Sequence, residues 1–485
     1  MKILFYYRDA ENIGIEYLSA ILKKAGHKTE LIFKTGSGSK FGMAHIKGFK
    51  KLDDDLELIE KAKKFSPDLL AFSCETDLYL DTLKMARKLK ALFNVPVIIG
   101  GKHATNLPEE VIKEACFDML CRGEGEEAML EVANSLEKGK DASKIKNIWC
   151  KKGKKIIKND LRPLIQDLDK IPFPDRSLFY KYNAFGSQLM MIGSRGCPYF
   201  CSYCNNSYYR ELYKGKGKYI RRRSVNNIIA EIKDAIPRYN IKTVAFEDEN
   251  FLVDAEWLKE FCIKYKKEIR LPFWCQGNPN NITEEKIRYL KDAGCKEMFM
   301  GVESGNEYIR RNIYRRYTSN EQILKSAKII KSAGITLQCT AIFGAPDETP
   351  KEMFDTIRMI EKIKPDAIPT YTLYPYFNTY CFDYAKKKGY LDEELIKKIK
   401  NGIEGSHGRS VLKHPYKNMA YNISKMLSLY VRVPKLFKPL IRRFMDNKYR
   451  TSVNCAYILM LPFDYPFTGR EKIKIFFKNI IKKYI

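Results

Sequence analysis

Short apolar runs alternate with segments of helical periodicity along most of the chain. KILFYY (2–7) is a buried-strand pattern, and GIEYLSAILKKAG (14–26) keeps its apolar residues on one helical face before stopping at Gly26. KTELIF (28–33) predicts a second strand, and a charged helical segment (51–65) precedes DLLAFSC (68–74). A helix over 79–92 precedes VPVIIGG (95–101). Buried strands alternating with helices predict a parallel α/β sheet. Ligands of such sheets sit at the carboxyl ends of the strands, which here carry residues 8–14, 73–76, 100–105 and 122–126. Residues 138–185 are rich in Lys and Pro and read as a connection. The alternation resumes at 186 and gives six strand signals with five helices between them: 189–195, 243–248, 273–277, 298–304, 336–344 and 367–375. A closed eight-fold barrel needs more, so a partial six-stranded barrel is expected. After about 395 the pattern fades into basic, helix-leaning segments. The expected division is therefore 1–140, a linker at 141–185, a barrel at 186–395 and a basic, mainly helical region at 396–485.

Composition changes this picture in two places. The net charge is +29, and residues 401–485 alone hold seventeen Lys/Arg against four Asp/Glu. Such an excess serves either a solvated surface or an anionic partner. The thirteen cysteines are mostly scattered among apolar neighbours, which suits small core residues in a reducing compartment rather than a disulfide framework. The N-terminus has an apolar run of about five residues and no small-residue cleavage pattern, so it reads as a strand and not as a signal peptide. A cytoplasmic location is expected, with contact at the inner face of the membrane as a variant of it.

One cysteine cluster has ligand-like spacing. Cys197, Cys201 and Cys204 form C-x3-C-x2-C directly after a strand. Thiolates suit iron–sulfur clusters and zinc. A structural zinc site wants four protein ligands, and the next cysteine is Cys262. Three thiolates on a four-iron cluster leave one iron open to substrate. A zinc-stabilised scaffold at a membrane surface is the alternative from another class.

With Tyr203 before the last cysteine, this segment resembles the signature of the radical S-adenosylmethionine (SAM) superfamily. The resemblance implies a [4Fe–4S] cluster whose open iron binds SAM, reductive cleavage to a 5′-deoxyadenosyl radical, and a partial (β/α)6 TIM-like barrel. Three downstream segments are similar to the family in the same order. FEDENF (246–251) ends the second barrel strand and implies Glu247 and Asp248, with Asn250, near the amino end of SAM. GVESGN (301–306) ends the fourth strand and implies Glu303 and Ser304 at its ribose and carboxylate. IFGAPDET (342–349) implies Gly344 beside the adenine. The resemblance covers about 186–380.

The N-terminal segment resembles the Rossmann-like (flavodoxin-like) cobalamin-binding domain of one large radical SAM subclass. Ser73, Gly100, Gly101 and Gly123 fall at strand ends, where a backbone can approach a flat ring, although glycine also serves tight αβ turns. Asp9-x-Glu11-x-x-Gly14 has the spacing of a cobalt-ligating Asp-x-His-x-x-Gly motif, with Glu11 in place of the histidine. A carboxylate is a hard ligand, so no protein ligand to cobalt is expected from it, and either cobalamin binds with its lower face free or the domain no longer binds it and only positions substrate. His103 is expected to be structural.

The resemblance implies SAM, a [4Fe–4S] cluster and cobalamin as cofactors, with a flavodoxin or ferredoxin as electron donor. The implied reaction is methylation of an unactivated carbon of a small-molecule or lipid substrate. Cyclisation, oxidation or rearrangement is the other radical outcome. Residues 427–445 and 471–485 mix apolar and cationic residues at near-helical spacing, which fits either an anionic membrane surface or docking on the barrel. No recognised nucleic-acid-binding module accompanies the charge, so nucleic acid is not an expected partner.

Overall fold

The computed structural model describes residues 1–35, 55–403 and 410–446. Residues 471–485, expected to form an amphipathic stretch, lie outside them, as do residues 51–54 of the expected helix at 51–65. The described chain forms two compact units. Unit 1 takes Met1–Met190, Arg210–Lys242 and Glu393–Gly405; unit 2 takes Met191–Tyr209, Thr243–Asp392 and Ser406–Ile485.

Unit 1 is built on a seven-stranded sheet of order β2-β1-β3-β4-β5-β6-β7. Its strands are β1 (Lys2–Asp9), β2 (Lys28–Thr35), β3 (Leu69–Ser73), β4 (Val97–Gly100), β5 (Met119–Cys121), β6 (Ile148–Lys152) and β7 (Lys155–Lys158). The first five run parallel, as the continuous apolar runs predict. The helix Ile13–Lys24 starts where the Asn12 side chain accepts from Ile15 N, and it buries Ile15 and Leu22 against the sheet. The chain reverses its winding between β1 and β3, which is the topological switch point where sheets of this kind open a crevice.

The expected linker needs correction. β6 and β7 form an antiparallel hairpin that extends the sheet, and Ile148, Trp149, Leu178 and Phe179 are buried in this unit. Lys and Pro give 141–185 the composition of a connection, and the apolar residues between them carry the packing. Residues Arg210–Lys242, expected within the barrel, also belong here. They bring Arg223 and Glu231 into a buried ion cluster with Arg176.

Unit 2 contains the curled parallel sheet. Strands β8 (Gln188–Met191), β11 (Thr243–Phe246), β12 (Phe273–Gly277), β13 (Cys295–Glu303), β14 (Thr336–Phe343) and β15 (Thr370–Thr372) stand in the order β15-β14-β13-β12-β11-β8; of the short pieces between β8 and β11 in sequence, β9 (Ser194–Arg195) falls in unit 2 and β10 (Arg221–Arg222) in unit 1. The six expected strands are all present. Helices Ala255–Glu268, Glu284–Ala293, Asn320–Ser332 and Pro350–Ile363 alternate with them. The last begins with a complete capping box between Thr349 and Glu352. Of the basic C-terminal region, helix Lys417–Arg432 packs against β14 and β15 and buries Ile423, Met426 and Leu427.

Candidate functional site

The cysteine loop leaves β9 through Gly196, whose φ of +90° favours glycine, and folds into a turn closed by Cys204 N donating to Cys201 O at 3.1 Å. Ser202, between the ligands, is buried and donates its N–H to Tyr314 O at 2.9 Å. The Tyr203 ring meets Tyr314 edge-on at 5.0 Å. Two N–H donors face the sulfurs: Asn206 N lies 3.5 Å from Cys204 Sγ, and Arg316 Nη1 lies 3.8 Å from Cys201 Sγ. Burial pushes the Cys197 thiol up to about 12, opposed by the Tyr199 backbone N–H, and the Cys204 thiol up to about 11, opposed by Asn206.

This donor set fits an iron–sulfur cluster. Three soft ligands share one loop, and N–H donors are already aimed at two of them. Each thiolate of such a cluster binds a different iron, so the sulfurs need not converge. Among the described residues, no three His, Cys, Asp or Glu side chains converge as a single metal ion requires.

Glu303 ends β13 in an unusual backbone state. Its φ is +62°, a left-handed conformation that costs a non-glycine residue roughly 1–3 kcal/mol. The β13–β14 register shifts between Gly301 and Glu303, which re-aims the side chain. Tyr203 and Thr340 hydrogen-bond its carboxyl, Thr340 Oγ1 at 3.2 Å. Burial raises its pKa, and nearby Arg316 together with these bonds opposes the rise. Tyr203 and Glu303, both expected at the site, are thus brought together.

Other expected residues have different surroundings. Asp248 is fully buried and accepts from Gly193 N at 2.9 Å and from Ser194 Oγ, so it ties down the chain entering the cysteine loop. Glu247 beside it is exposed. Asn250 donates to Asn281 Oδ1 at 2.7 Å, and Tyr199 donates to the same oxygen at 2.7 Å. Ser304 is buried within a turn, where its hydroxyl accepts from Asn306 N at 3.2 Å and lies 3.3 Å from Thr356 Oγ1. Gly344 has φ +81°, and a Cβ there would lie 3.2 Å from Ala420 Cβ. Its N–H donates to the buried Glu348 carboxyl at 2.6 Å.

In unit 1, Glu11 is buried and paired with Arg176. Gly14 is exposed at the start of its helix, and Ser73 is half-buried at the end of β3. Gly101 packs on protein, since a Cβ would stand 2.7 Å from Cys74 O. Gly123 is closed off by Tyr213, whose hydroxyl accepts from Glu124 N at 2.8 Å and occupies the place of a Cβ. Gly100 makes only ordinary contact, 3.6 Å from Cys121 O. His103 is fully buried, its ring lies 4.1 Å from that of Tyr79 at a tilt of 32°, and burial pushes its pKa down to about 3. Of these expected positions, Gly14, Ser73 and Gly100 are thus not closed off by protein in the way that Gly101 and Gly123 are.

Arg316 and Asn206 carry no signal in the sequence, because neither belongs to a ligand-like spacing: Asn206 follows Asn205 at the start of the helix Asn205–Leu212, and Arg316 follows Arg315 in an arginine-rich stretch. The inner face of the curled sheet was also not expected. Gln276 registers with Phe299, Gly301 with Thr340, and Ile342 with Tyr371, and the Trp274 and Phe299 rings lie 5.0 Å apart.

Residues 191–360 match the family model of the radical SAM superfamily, and residues 5–133 match that of the B12 binding domain. The chain thus joins a radical SAM domain to a B12 binding domain, and the cofactors of that pairing are SAM, a [4Fe–4S] cluster and cobalamin. It is 29% identical over 368 residues to an uncharacterized methyltransferase of Pyrococcus horikoshii, covering 72% of this chain and 79% of that protein. It is 23% identical over 523 residues to the anaerobic magnesium-protoporphyrin IX monomethyl ester cyclase of Rubrivivax gelatinosus, covering 100% of this chain and 82% of the cyclase. Among solved structures, the cobalamin-dependent SAM radical enzyme OxsB with aqua-cobalamin and SAM bound shares the fold. Its TM-score is 0.66 at 16% identity, over 100% of this chain and 75% of that one.

Proposed function

We propose that this chain is a cobalamin-dependent radical SAM enzyme that methylates an unactivated carbon of an organic substrate. The observation that carries the reading is the cysteine loop, with N–H donors aimed at its sulfurs, in a chain that matches both family models. Cys197, Cys201 and Cys204 would hold the cluster, and Gly14, Ser73 and Gly100 would lie along cobalamin. When bound, the cluster supplies the electron that cleaves SAM, and cobalamin carries the methyl group. Glu303, fixed by its backbone bulge with Tyr203 and Thr340, offers a carboxyl to hydroxyl groups of SAM. Trp274, Phe299 and Tyr371 give the inner face an aromatic surface against which a substrate can pack. Glu11 does not ligate cobalt in this reading, because Arg176 engages it.

Supporting methylation, the Pyrococcus horikoshii relative bears a methyltransferase name. The full-length match to a cyclase favours a second reading, a radical reaction without methyl transfer. A lipid substrate is supported by a surface of unit 2 where Leu436, Phe437 and Leu440 are exposed beside Lys435, Arg442 and Arg443. Among the described residues, no helix is long and apolar enough to cross a membrane. A flavodoxin or ferredoxin would supply electrons.

The test is anaerobic reconstitution with iron, sulfide and hydroxocobalamin, followed by desalting. Stoichiometric cobalt, a [4Fe–4S] absorbance and S-adenosylhomocysteine formed under reduction support the methyltransferase. A cluster with 5′-deoxyadenosine formation but neither cobalt nor S-adenosylhomocysteine moves the assignment to the second reading.

A further inference from the structure

We infer that Arg316 sets the reduction potential of the cluster through hydrogen bonding and charge at Cys201. The inference rests on the cluster assignment above and goes beyond it. Arg316 follows the turn Ile309–Ile313 and reaches back over the end of β13. Its guanidinium bridges two groups: Nη1 donates to Cys201 Sγ at 3.8 Å, and Nη2 donates to Gly301 O at 2.8 Å. The second bond fixes the orientation of the first, because the guanidinium is planar.

Gly301 makes this placement sterically possible. A Cβ at Gly301 would stand 2.9 Å from Arg316 Nη2 and would overlap the Glu303 carboxyl. The glycine of the G-x-E-S-G segment therefore has a role in this chain distinct from turn formation. It gives the guanidinium access to the strand carbonyl while Glu303 lies alongside.

Reduction adds one electron, and one negative charge, to the cluster and its thiolates. A cation and an N–H···S bond at one ligand stabilise the reduced form more than the oxidised form, so the potential rises. The cluster is then easier to reduce. Of the three ligands, Cys201 is the one that receives this donor, while Cys204 receives the neutral Asn206 N–H. Arg316 is a positioning and tuning residue in this account.

The experiment compares the full-length parent with Arg316→Gln, Arg316→Lys and Gly301→Ala after anaerobic reconstitution. Bound iron is measured first. A redox titration without SAM, followed by EPR of the reduced cluster, then gives the midpoint potential. The Gln variant is expected at a more negative potential than the parent, with the Lys variant between them. Gly301→Ala is expected to move in the same direction, because it forces the guanidinium off the strand while leaving Arg316 in the chain. Parent potential in every variant that holds a cluster overturns the proposal. If the Gln variant binds no iron, the Lys and Gly301→Ala variants decide the matter by the same criterion. Failure of the parent itself to form a [4Fe–4S] spectrum sinks the cluster assignment, whereas unchanged potentials sink only the role of Arg316.

Discussion

Glu11 Oε1 lies 3.3 Å from Arg176 Nη1, and both side chains are almost wholly buried. Arg176 also meets Glu231 at 2.6 Å and Glu16 at 3.5 Å, and Arg223 meets Glu231 at 2.6 Å. Three carboxyls thus face two guanidiniums. Burial raises the pKa of Glu16, Arg176 opposes the rise, and the neighbouring carboxyls add to it.

Arg176→Met leaves Glu11 and Glu231 buried with too little positive charge. Breaking one partner of a buried ion network costs roughly 3–5 kcal/mol. Urea unfolding should show that loss as a lower midpoint. Glu11→Gln, in contrast, should retain bound cobalt after reconstitution, since the carboxylate serves Arg176. Loss of cobalt with an unchanged unfolding midpoint would contradict this role for Glu11.

Gly305 is packed against the helix Pro350–Ile363. A Cβ there would stand 2.5 Å from Asp355 O and 2.7 Å from Thr356 Cα, both backbone atoms that cannot move cheaply. Gly305→Ala should therefore destabilise unit 2 by about 1–3 kcal/mol, the usual range for overpacking. It should also break the Gly305 N bond to Thr356 Oγ1 and loosen Ser304 beside it. Thermal unfolding at fixed pH measures the effect, and a melting temperature equal to the parent's would refute the steric argument.

Much of this arrangement was legible in the sequence, for identifiable reasons. Parallel strands buried on both faces leave continuous apolar runs, so all six strands of the curled sheet and the first strands of unit 1 could be read directly. The cysteine spacing carried its chemistry without further context. The hairpin at β6 and β7 is hidden because its apolar residues are few and stand among clustered lysines without strict alternation, as in KKGKKIIK. Glu11, placed by its motif spacing, and Gly123, placed at a strand end, have partners that the sequence does not reveal, because Arg176 and Tyr213 lie far along the chain. Arg316 could not be found because its importance depends on a contact 115 residues away in sequence.

Glu348 gives a pH-dependent signature. Its carboxyl is buried and accepts from Gly344 N and Ala345 N, the latter at 3.1 Å, while its other oxygen has no hydrogen-bond partner. Burial pushes its pKa from 4.5 up to about 8, although the two backbone bonds oppose the rise. The folded state therefore holds a proton that the unfolded chain releases between these values. The stability contributed by the neutral acid is complete below pH 4.5 and is lost as pH rises through about 8. The loss should amount to a few kcal/mol, because each tenfold change in proton affinity is worth about 1.4 kcal/mol. Glu348→Gln keeps a neutral acceptor and should flatten the stability profile over this window. Parallel profiles for the parent and the variant, measured by urea unfolding, would exclude Glu348 as the source.

The surface of unit 2 around the helix Lys438–Phe444 makes a prediction about lipid. Leu436 is 84% exposed, Leu440 58% and Phe437 52%, an unusual concentration for adjacent large apolar residues. Lys435 and Arg443 are exposed beside them, and Arg442 lies over the Phe354 ring at 4.2 Å. Apolar side chains flanked by cations match the anatomy of interfacial helices, where burial in the headgroup layer and attraction to anionic lipid act together. The full-length protein should sediment with phosphatidylcholine vesicles containing phosphatidylglycerol, more weakly as salt is raised, and little with phosphatidylcholine alone. Replacing Leu436, Phe437 and Leu440 together with Ser should remove most of that binding while leaving the iron content and melting temperature at parent values. Undiminished sedimentation of the triple variant would show that the membrane contact lies elsewhere on the chain, and no binding by the parent would withdraw the support this surface gives to a lipid substrate.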